Sequence, residues 1–218
     1  MKKLIMFVAA ALLVTGLTGC VVKTSTKSKR ISKTFAIQEF ERINLSGNFD
    51  VVYSQGDKVS ARAEGDERVV NSLELTCSDG TLNISQKRYS LKPVLFSGST
   101  VLYVTSPDLT GIKMTGNGDF EAPGQVDTDE LQVELTGNGD IDFERVICDK
   151  IFLTLTGNGD IDVKDVTAGA ANIQLTGNGD VTVGGRVGKF DMKKMGNGDV
   201  DTSNLKMGES TSVESKGR

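Results

Sequence analysis

The stretch Leu135-Thr-Gly-Asn-Gly-Asp-Ile141 decides the fold, because its central tetrapeptide occurs five times along the chain. The starts of successive copies are 21, 20, 20 and 19 residues apart. A fixed period of this length is typical of solenoids, in which each repeat is one structural unit that stacks on the next. The five copies are Gly116-Asn117-Gly118-Asp119, Gly137-Asn138-Gly139-Asp140, Gly157-Asn158-Gly159-Asp160, Gly177-Asn178-Gly179-Asp180 and Gly196-Asn197-Gly198-Asp199.

Apolar and polar residues alternate on both sides of each tetrapeptide. In one unit Leu131, Val133 and Leu135 precede it, and Ile141 and Phe143 follow it. Such a period of two indicates β-strands with one face turned to an interior. A third apolar position recurs at Val126, Val146, Val166 and Val187. Because no long stretch has a helical period, the chain is predicted to be all-β.

The tetrapeptide itself predicts a sharp structural corner. Glycine accepts positive φ, asparagine tolerates the left-handed region, and aspartate accepts hydrogen bonds from nearby turn N–H groups. Two folds accommodate such corners: a right-handed parallel β-helix with coils of about 20 residues, and an antiparallel meander or sandwich with a hairpin at each tetrapeptide. The opposite end of each unit has no shared turn chemistry, as 144–148 and 165–169 show. This difference favours the parallel β-helix.

We predict one solenoid domain over residues 34–218, with an irregular part at 34–110 and regular repeats at 111–206. Leu45-Ser-Gly-Asn-Phe-Asp50 in the irregular part is a degenerate copy of the repeat, with Phe49 in place of the second glycine. A short helical turn is predicted within 65–73. The segment Ser78-Asp79-Gly80 predicts a hairpin turn between strands at 73–77 and 81–85.

The N-terminus has the organisation of a bacterial lipoprotein signal. Lys2 and Lys3 precede an apolar stretch, 4–14, that is too short for a permanent membrane span. Leu17-Thr18-Gly19-Cys20 then matches the lipobox, whose cysteine sulfur receives a diacylglyceryl group. We predict a signal peptide over 1–19 and acyl chains such as palmitate at Cys20. The alternative is an ordinary cleaved signal with an incidental cysteine.

Charge and composition describe the rest of the mature chain. Loss of Lys2 and Lys3 leaves 23 basic against 29 acidic residues, a net charge of −6, which argues against a nucleic-acid partner. Residues 20–33 are rich in Ser, Thr and Lys, and are predicted to form a flexible tether, either a soluble spacer or a segment lying on anionic lipid. Cys77 and Cys148 lie about 70 residues apart in a repeat chain. They are therefore predicted to be buried thiols and not a disulfide.

Catalysis has little support in the sequence. The chain has no histidine, the commonest general base. Asp140 with Asp142, and Asp160 with Asp162, are candidate carboxylate pairs of the kind that glycosidases use. We interpret these aspartates instead as turn caps and solvated positions, and predict that the chain is not an enzyme.

Calcium binding is a second candidate function of the repeated aspartates. Gly-Asn-Gly-Asp-Ile-Asp is similar to the calcium-binding nonapeptide of β-rolls, but that motif recurs every nine residues or so. Stacked coils would instead place the five aspartates in a column beside a ladder of Thr115, Thr136, Thr156 and Thr176. We predict that these aspartates cap backbone N–H groups and that the protein has no metal or other cofactor; a calcium-binding column remains the alternative.

The lipobox, the early Gly-Asn-Phe-Asp-Val51 segment and the repeated Leu-Thr-Gly-Asn-Gly-Asp units resemble the putative auto-transporter adhesin, head GIN domain family over about 35–206. This resemblance implies a β-helical protein of the cell envelope, anchored in the outer membrane, with an adhesive role and no catalytic residues. We therefore expect a binding module for a glycan or protein ligand, on the periplasmic or the surface side. The alternatives are a glycan-active enzyme and a passive stalk.

Overall fold

The computed structural model describes residues 29–87 and 100–216, with side chains through residue 208. These residues form a network of 15 strands and one short helix. The elements of the first half are β1 Arg30–Phe35, β2 Arg42–Gly47, β3 Asp50–Gln55, β4 Ser60–Asp66, α1 Glu67–Ser72, β5 Leu73–Ser78, β6 Thr81–Gln86 and β7 Val101–Ser106. The second half contains β8 Gly111–Gly116, β9 Phe120–Asp127, β10 Glu130–Gly137, β11 Ile141–Gly157, β12 Ile161–Gly177, β13 Val181–Gly196, β14 Val200–Asp201 and β15 Leu205–Lys216.

The regular part is a parallel β-solenoid of about five turns, with coils of about 20 residues. β10 pairs in parallel with β8 and β11, and β11, β12 and β13 follow one another in the same way. The constant spacing of the repeats brings Gly137, Gly157 and Gly177 opposite one another. The prediction of a parallel solenoid is therefore confirmed, and the antiparallel meander is wrong for these coils.

Two outer surfaces result from this winding. Face 1 carries the outward side chains of strands that lead into a corner, in the spatial order β5, β6, β2, β8, β10 and the second halves of β11, β12 and β13. Face 2 carries those of strands that leave a corner: β1, β4, β7, β3, β9 and the first halves of β11, β12 and β13. The Gly-Asn-Gly-Asp corners join the two faces.

The irregular part closes one end of the solenoid. Here the pairing turns antiparallel, between β1 and β4, β4 and β7, and β5 and β6. The β5–β6 turn has positive φ at Asp79 (50°) and Gly80 (69°), as a type I′ hairpin requires. The predicted hairpin is thus confirmed. Strand order departs from chain order, because β2 lies between β6 and β8.

Helix α1 forms where the sequence predicts a helical turn. Asp66 caps it by accepting a hydrogen bond from the Arg68 N–H at 2.8 Å, which satisfies one of the free donors of the first turn. Val69 and Val70 are buried, and the helix contacts β1 and β4. α1 therefore covers part of the core at the end that the antiparallel strands close.

Strand β1 begins at Arg30, inside the segment 20–33 that the sequence predicts to be a tether. Ile31, Lys33 and Phe35 are half-buried, whereas the residues between them are exposed. The strand pairs with β4, so Arg30–Lys33 are not part of a flexible tether. The many Ser and Lys residues hide this alternation in the sequence.

The core consists of apolar columns that run through successive coils. Leu135, Leu155 and Leu175 are each at most 1% exposed. Complete burial of such a side chain contributes roughly 1.5–3 kcal/mol. Tyr53, Phe120 and Phe143 are also buried in the interior, with ring centroids 6.3 and 5.8 Å apart for successive pairs. Because side chains fill the described interior, a ligand meets this part of the protein on its outer surfaces.

One predicted column is displaced at its end. Val126, Val146 and Val166 pair in register, but Gly185 and not Val187 lies opposite Val166. The register shifts between Val163 and Val166, where one strand has an irregularity. Val187 is nevertheless buried, so the irregularity preserves the core.

Within residues 29–87 and 100–216, no helix is long and apolar enough to cross a membrane. The predicted signal peptide and Cys20 lie outside the described residues.

Candidate functional site

The five corners and the degenerate sixth stack in register along one edge of the solenoid. Gly47 pairs with Gly116, and each first glycine then pairs with its counterpart in the next coil. The threonine ladder predicted beside them is present: Thr115, Thr136, Thr156 and Thr176 are consecutive partners, all exposed.

The two glycines of a corner have different roles. The first has φ between 126° and 148° in all five corners, a range that other residues rarely adopt. A Cβ at this position would also overlap the carbonyl oxygen of the paired glycine. The second glycine has no positive φ, but a Cβ there would overlap the carbonyl oxygen of the coil before it. Asp79 is the only described non-glycine residue with positive φ, so the expected left-handed asparagine is wrong.

The corner asparagines form a continuous amide ladder instead. The Nδ2 group of Asn138 donates to Oδ1 of Asn117 at 2.7 Å, and Asn158 donates to Asn138 at 2.8 Å. The same bond joins Asn178 to Asn158, Asn197 to Asn178 and Asn117 to Asn48. Stacked identical amides of this kind stabilise cross-β assemblies. The asparagine is thus needed for contacts between coils and not for its backbone conformation.

The corner aspartates also bond from coil to coil. The Asp160 N–H donates to Oδ1 of Asp140 at 2.9 Å, and the Asp180 N–H donates to Oδ1 of Asp160 at 2.7 Å. The first four carboxylates of the column therefore each cap a backbone N–H of the next coil, and the predicted cap within the same turn is wrong. At the end of the column, Lys194 forms an ion pair with Asp199 at 2.9 Å.

The candidate catalytic carboxylates are divided between the corner column and face 2. Asp142 and Asp162 are paired residues on neighbouring strands of face 2. Burial, followed by the negative charge of Asp162, raises the pKa of Asp142. Within the described part of the chain, no group of three or more His, Cys, Asp or Glu side chains could hold a metal ion. These carboxylates form a line of like charges.

A groove of about 450 Å³ opens on face 1, where the irregular part meets the first regular coil. Its volume falls in the range of small-ligand sites, about 300–1,000 Å³. The lining includes Arg42, Thr81, Gly111, Lys113, Gln132 and Glu134. Asp140, Asp142, Asp160 and Asp162 do not line it.

Gly111 lines the groove without contributing a side chain to it. Gly111 is paired with Arg42 on one side and with Gln132 on the other, so a residue without a side chain lies between two long ones. A Cβ at Gly111 would lie 3.4 Å from Cγ of Arg42 and 3.5 Å from the carbonyl oxygen of Gln132, which are ordinary contacts. Gly111 has no positive φ. The backbone therefore does not require glycine here, and a Cβ fits at this position without strain.

Hydrogen bonds hold both walls of the groove in place. Arg42 donates to the carbonyl oxygen of Asp79 at 2.8 Å and forms an ion pair with Glu41 at 3.2 Å. On the other wall, Glu134 accepts from Gln132 at 2.9 Å and from Lys113 at 2.8 Å. Walls that are already ordered lower the entropy cost of binding a ligand.

Phe152 is next to this groove on face 1. It pairs with Gln132 on one side and with Asn172 on the other, and it is half-buried. The residues before and after it, Ile151 and Leu153, point into the core. Phe152 is thus an aromatic side chain on the outer surface, flanked by two amides.

Sequence reasoning missed the groove and Phe152. A signal for Phe152 exists, since an aromatic residue occupies an outward position that carries Gln132 and Asn172 in the neighbouring coils. The placement of Gly111 between two long side chains has no such signal, because it depends on which strands flank β8.

The two described cysteines are free thiols. Cys148 is buried, and burial, followed by the charges of Asp149 and Asp127, raises its pKa to about 11. Cys77 is only half-buried, contrary to the sequence prediction, and its Sγ donates to the carbonyl oxygen of Gln38 at 3.6 Å.

Comparison with known proteins agrees with this architecture. The chain matches the family described as putative auto-transporter adhesin, head GIN domain over residues 39–157 and 144–218. The comparison with curated proteins gives no match.

Solved structures share the fold at low sequence identity. A putative lipid binding protein from Parabacteroides distasonis is 20% identical with a TM-score of 0.75, covering 84% of this chain and 78% of its own. A putative adhesin from Bacteroides fragilis is 23% identical with a TM-score of 0.66, and the match covers 80% of this chain and 97% of the adhesin. A putative adhesin from Parabacteroides merdae is 19% identical with a TM-score of 0.55, and the match covers 88% of this chain and 98% of the adhesin.

Proposed function

The chain belongs to the putative auto-transporter adhesin, head GIN domain family, and we propose that it is a non-catalytic binding module of the cell envelope. In this proposal the solenoid is the scaffold, and a glycan or protein ligand binds on an outer face. The observation that carries it is the preorganised groove on face 1, which is built from uncharged and oppositely charged side chains in fixed positions.

The placement of the acidic residues supports a binding role over catalysis. Asp142 and Asp162 are on face 2 and their candidate partners are in the corner column, and none of these aspartates lines the groove. A glycosidase needs two carboxylates on either side of one bound glycosidic bond. A line of paired acids along an open face offers no such arrangement.

A lipid ligand inside the solenoid is disfavoured by its packing. The B. fragilis relative is described as a putative adhesin and the P. distasonis relative as a putative lipid binding protein. In the described part of this chain, Tyr53, Phe120 and Phe143 occupy the interior. A binding surface on the outside, as an adhesin uses, is therefore the better fit.

We further propose that Cys20 carries a lipid anchor. A diacylglyceryl group together with an N-acyl chain exceeds the two signals needed for stable membrane attachment. Fractionation of cells that express Cys20→Ser should find the protein outside the membrane fraction, whereas the matched variant Cys77→Ser should stay in it. Retention of Cys20→Ser in membranes would contradict the anchor.

The binding proposal is tested with the mature chain, residues 20–218 carrying Cys20→Ser, on arrays of glycans and extracellular-matrix proteins. We expect saturable binding to at least one ligand, absent from a heat-unfolded control, with the ligand intact after incubation. Cleavage of a bound glycan would identify an enzyme. Failure to bind anything on either array would favour a passive stalk.

A further inference from the structure

We infer that the groove on face 1 binds a neutral carbohydrate chain, with Phe152 as a stacking platform beside it. This inference rests on the proposed function and names the ligand class of its site. Five residues on five successive strands form one row across face 1: Arg42, Gly111, Gln132, Phe152 and Asn172.

The row sets the direction in which a ligand lies. Neighbouring strands are about 4.8 Å apart, so four intervals from Arg42 to Asn172 span about 19 Å. Gly111 contributes no side chain at the second position, while Phe152 offers an apolar surface at the fourth. An elongated ligand that runs along the solenoid axis contacts all five positions in order.

The side chains of the row match the two chemical properties of a sugar. A pyranose ring presents C–H groups on its faces, which pack on an aromatic side chain, and hydroxyl groups at its edge. Gln132 and Asn172 flank Phe152 on both sides, and each amide donates and accepts hydrogen bonds. An aromatic side chain between two amides therefore suits a hydroxylated ring.

The charges around the groove favour a neutral chain over an anionic one. Its lining contains the cationic Arg42 and Lys113 against the acidic Asp129, Glu130 and Glu134. The cationic groups are already engaged, Arg42 with Glu41 and Lys113 with Glu134. A sulfated or uronate-rich glycan would meet a surplus of negative charge, on a protein that is itself acidic.

A folded protein partner fits this surface less well. A stable protein–protein interface buries about 1,200–2,000 Å² around an apolar, desolvated centre. Apart from Gly111 and Phe152, the row and its neighbours on face 1 are polar, including Asn44, Lys113 and Glu134. The lining of the groove offers both hydrogen-bond donors and acceptors, as a hydroxylated ligand requires.

The test uses two variants of the mature Cys20→Ser chain, each with a matched control. Gly111→Leu fills the groove without backbone strain, and its control is Gly124→Leu, where a Cβ has nothing within 4 Å. Phe152→Ala removes the platform, and its control is Tyr103→Ala, which truncates an exposed aromatic residue on face 2. Thermal midpoints of all four variants establish that they are folded.

Binding is measured on immobilised neutral hexasaccharides of glucose, mannose, galactose and N-acetylglucosamine, and on sulfated and uronate counterparts. We expect at least one neutral hexasaccharide to bind to the parent chain. Its affinity for Gly111→Leu and for Phe152→Ala should be lower by about tenfold or more, as is typical when a central anchor is lost. Both control variants should bind as the parent chain does. The anionic counterparts should bind more weakly than the neutral chains.

Three outcomes would overturn the inference. Binding to matrix proteins but to no neutral glycan would refute it and leave the binding module intact. Neutral glycan binding that both groove variants retain would place the site elsewhere. A parent chain that binds neither class of ligand would refute the inference together with the proposed function.

Discussion

Replacement of Gly157 by valine tests the geometry of the corners. Gly157 has φ of 142°, and a Cβ there would overlap the carbonyl oxygen of Gly137 in the preceding coil. Valine therefore meets two obstacles: a backbone conformation that side chains disfavour, and a backbone atom that cannot turn away as a side chain would.

The expected loss of stability follows from these two contributions. A non-glycine residue in a sparsely populated φ/ψ region costs about 1–3 kcal/mol. Forcing additional atoms into a packed site costs about 1–3 kcal/mol more. We therefore expect Gly157→Val to lower the free energy of unfolding by about 2–6 kcal/mol, a large part of the 5–15 kcal/mol typical of a domain.

Other glycines separate the two contributions. Gly159→Ala adds the overlap with the carbonyl oxygen of Gly139 but has no positive φ to strain, so it should cost about 1–3 kcal/mol. Gly169→Val should be milder than Gly157→Val, since its φ is not positive and its Cβ would lie 2.9 Å from the carbonyl oxygen of Asp149. Gly124→Val, with nothing within 4 Å, should be neutral.

The assay is urea unfolding followed by far-ultraviolet circular dichroism. With a denaturant slope of about 2 kcal/mol per molar, the midpoint for Gly157→Val should fall by about 1–3 M. The order of midpoints should be Gly124→Val highest and Gly157→Val lowest. If Gly157→Val and Gly124→Val unfold at the same urea concentration, the corners do not have the conformation described.

Three further outcomes are expected. Calcium should leave the thermal midpoint of the mature protein unchanged; specific binding at 100 times the dissociation constant would add about 2.7 kcal/mol, and a shift abolished by Asp140→Asn or Asp160→Asn would show that the column binds the ion. Asp142→Asn should raise the free energy of unfolding at pH 7, because the raised pKa of Asp142 means that the folded state disfavours its charge. This gain in stability should shrink as pH falls through the raised pKa and vanish below the ordinary pKa of aspartate. A gain that does not depend on pH would contradict the raised pKa of Asp142. Iodoacetamide at pH 8 should alkylate Cys77 in the native protein and spare Cys148, whose buried thiol has a pKa of about 11; mass spectrometry of the labelled peptides distinguishes the two, and equal labelling would contradict the burial of Cys148.

The regular coils were predictable because their information is local and repeated. One tetrapeptide at a constant spacing determines both the position of the corners and the register, and the alternation around it determines which side chains enter the core. Leu135, Leu155 and Leu175 are buried as the alternation predicts. The degenerate copy at Gly47 was also identifiable, since only its second glycine differs.

The detailed chemistry of the corners was only partly predictable. Sequence propensities describe a residue within its own turn, so asparagine was assigned a left-handed conformation and aspartate a local cap. In the structure, Asn138 and Asp140 bond to the coil before them through Asn117 and Asp119. Contacts between coils depend on stacking, which propensities do not include.

The irregular part was the least predictable, because its strand order depends on contacts distant in sequence. β2 pairs with β6 and with β8, which lie on opposite sides of it although both follow it in the chain. No local pattern in Arg42–Gly47 indicates this insertion. The groove depends directly on it, because Arg42 becomes a neighbour of Gly111 only through this order.

Repetition and recognition therefore occupy different parts of the molecule. In the regular coils, the amides of Asn138 and Asn158 and the carboxylates of Asp140 and Asp160 bind the adjacent coil. Groups that already bond to their own copies have less capacity left for a ligand. Gly111 and Phe152 differ from their counterparts in the neighbouring coils. Gly111 lacks a side chain, and Phe152 presents an apolar surface that no neighbouring coil covers. A solenoid with this repeat is expected to bind its ligands where the repeat is broken.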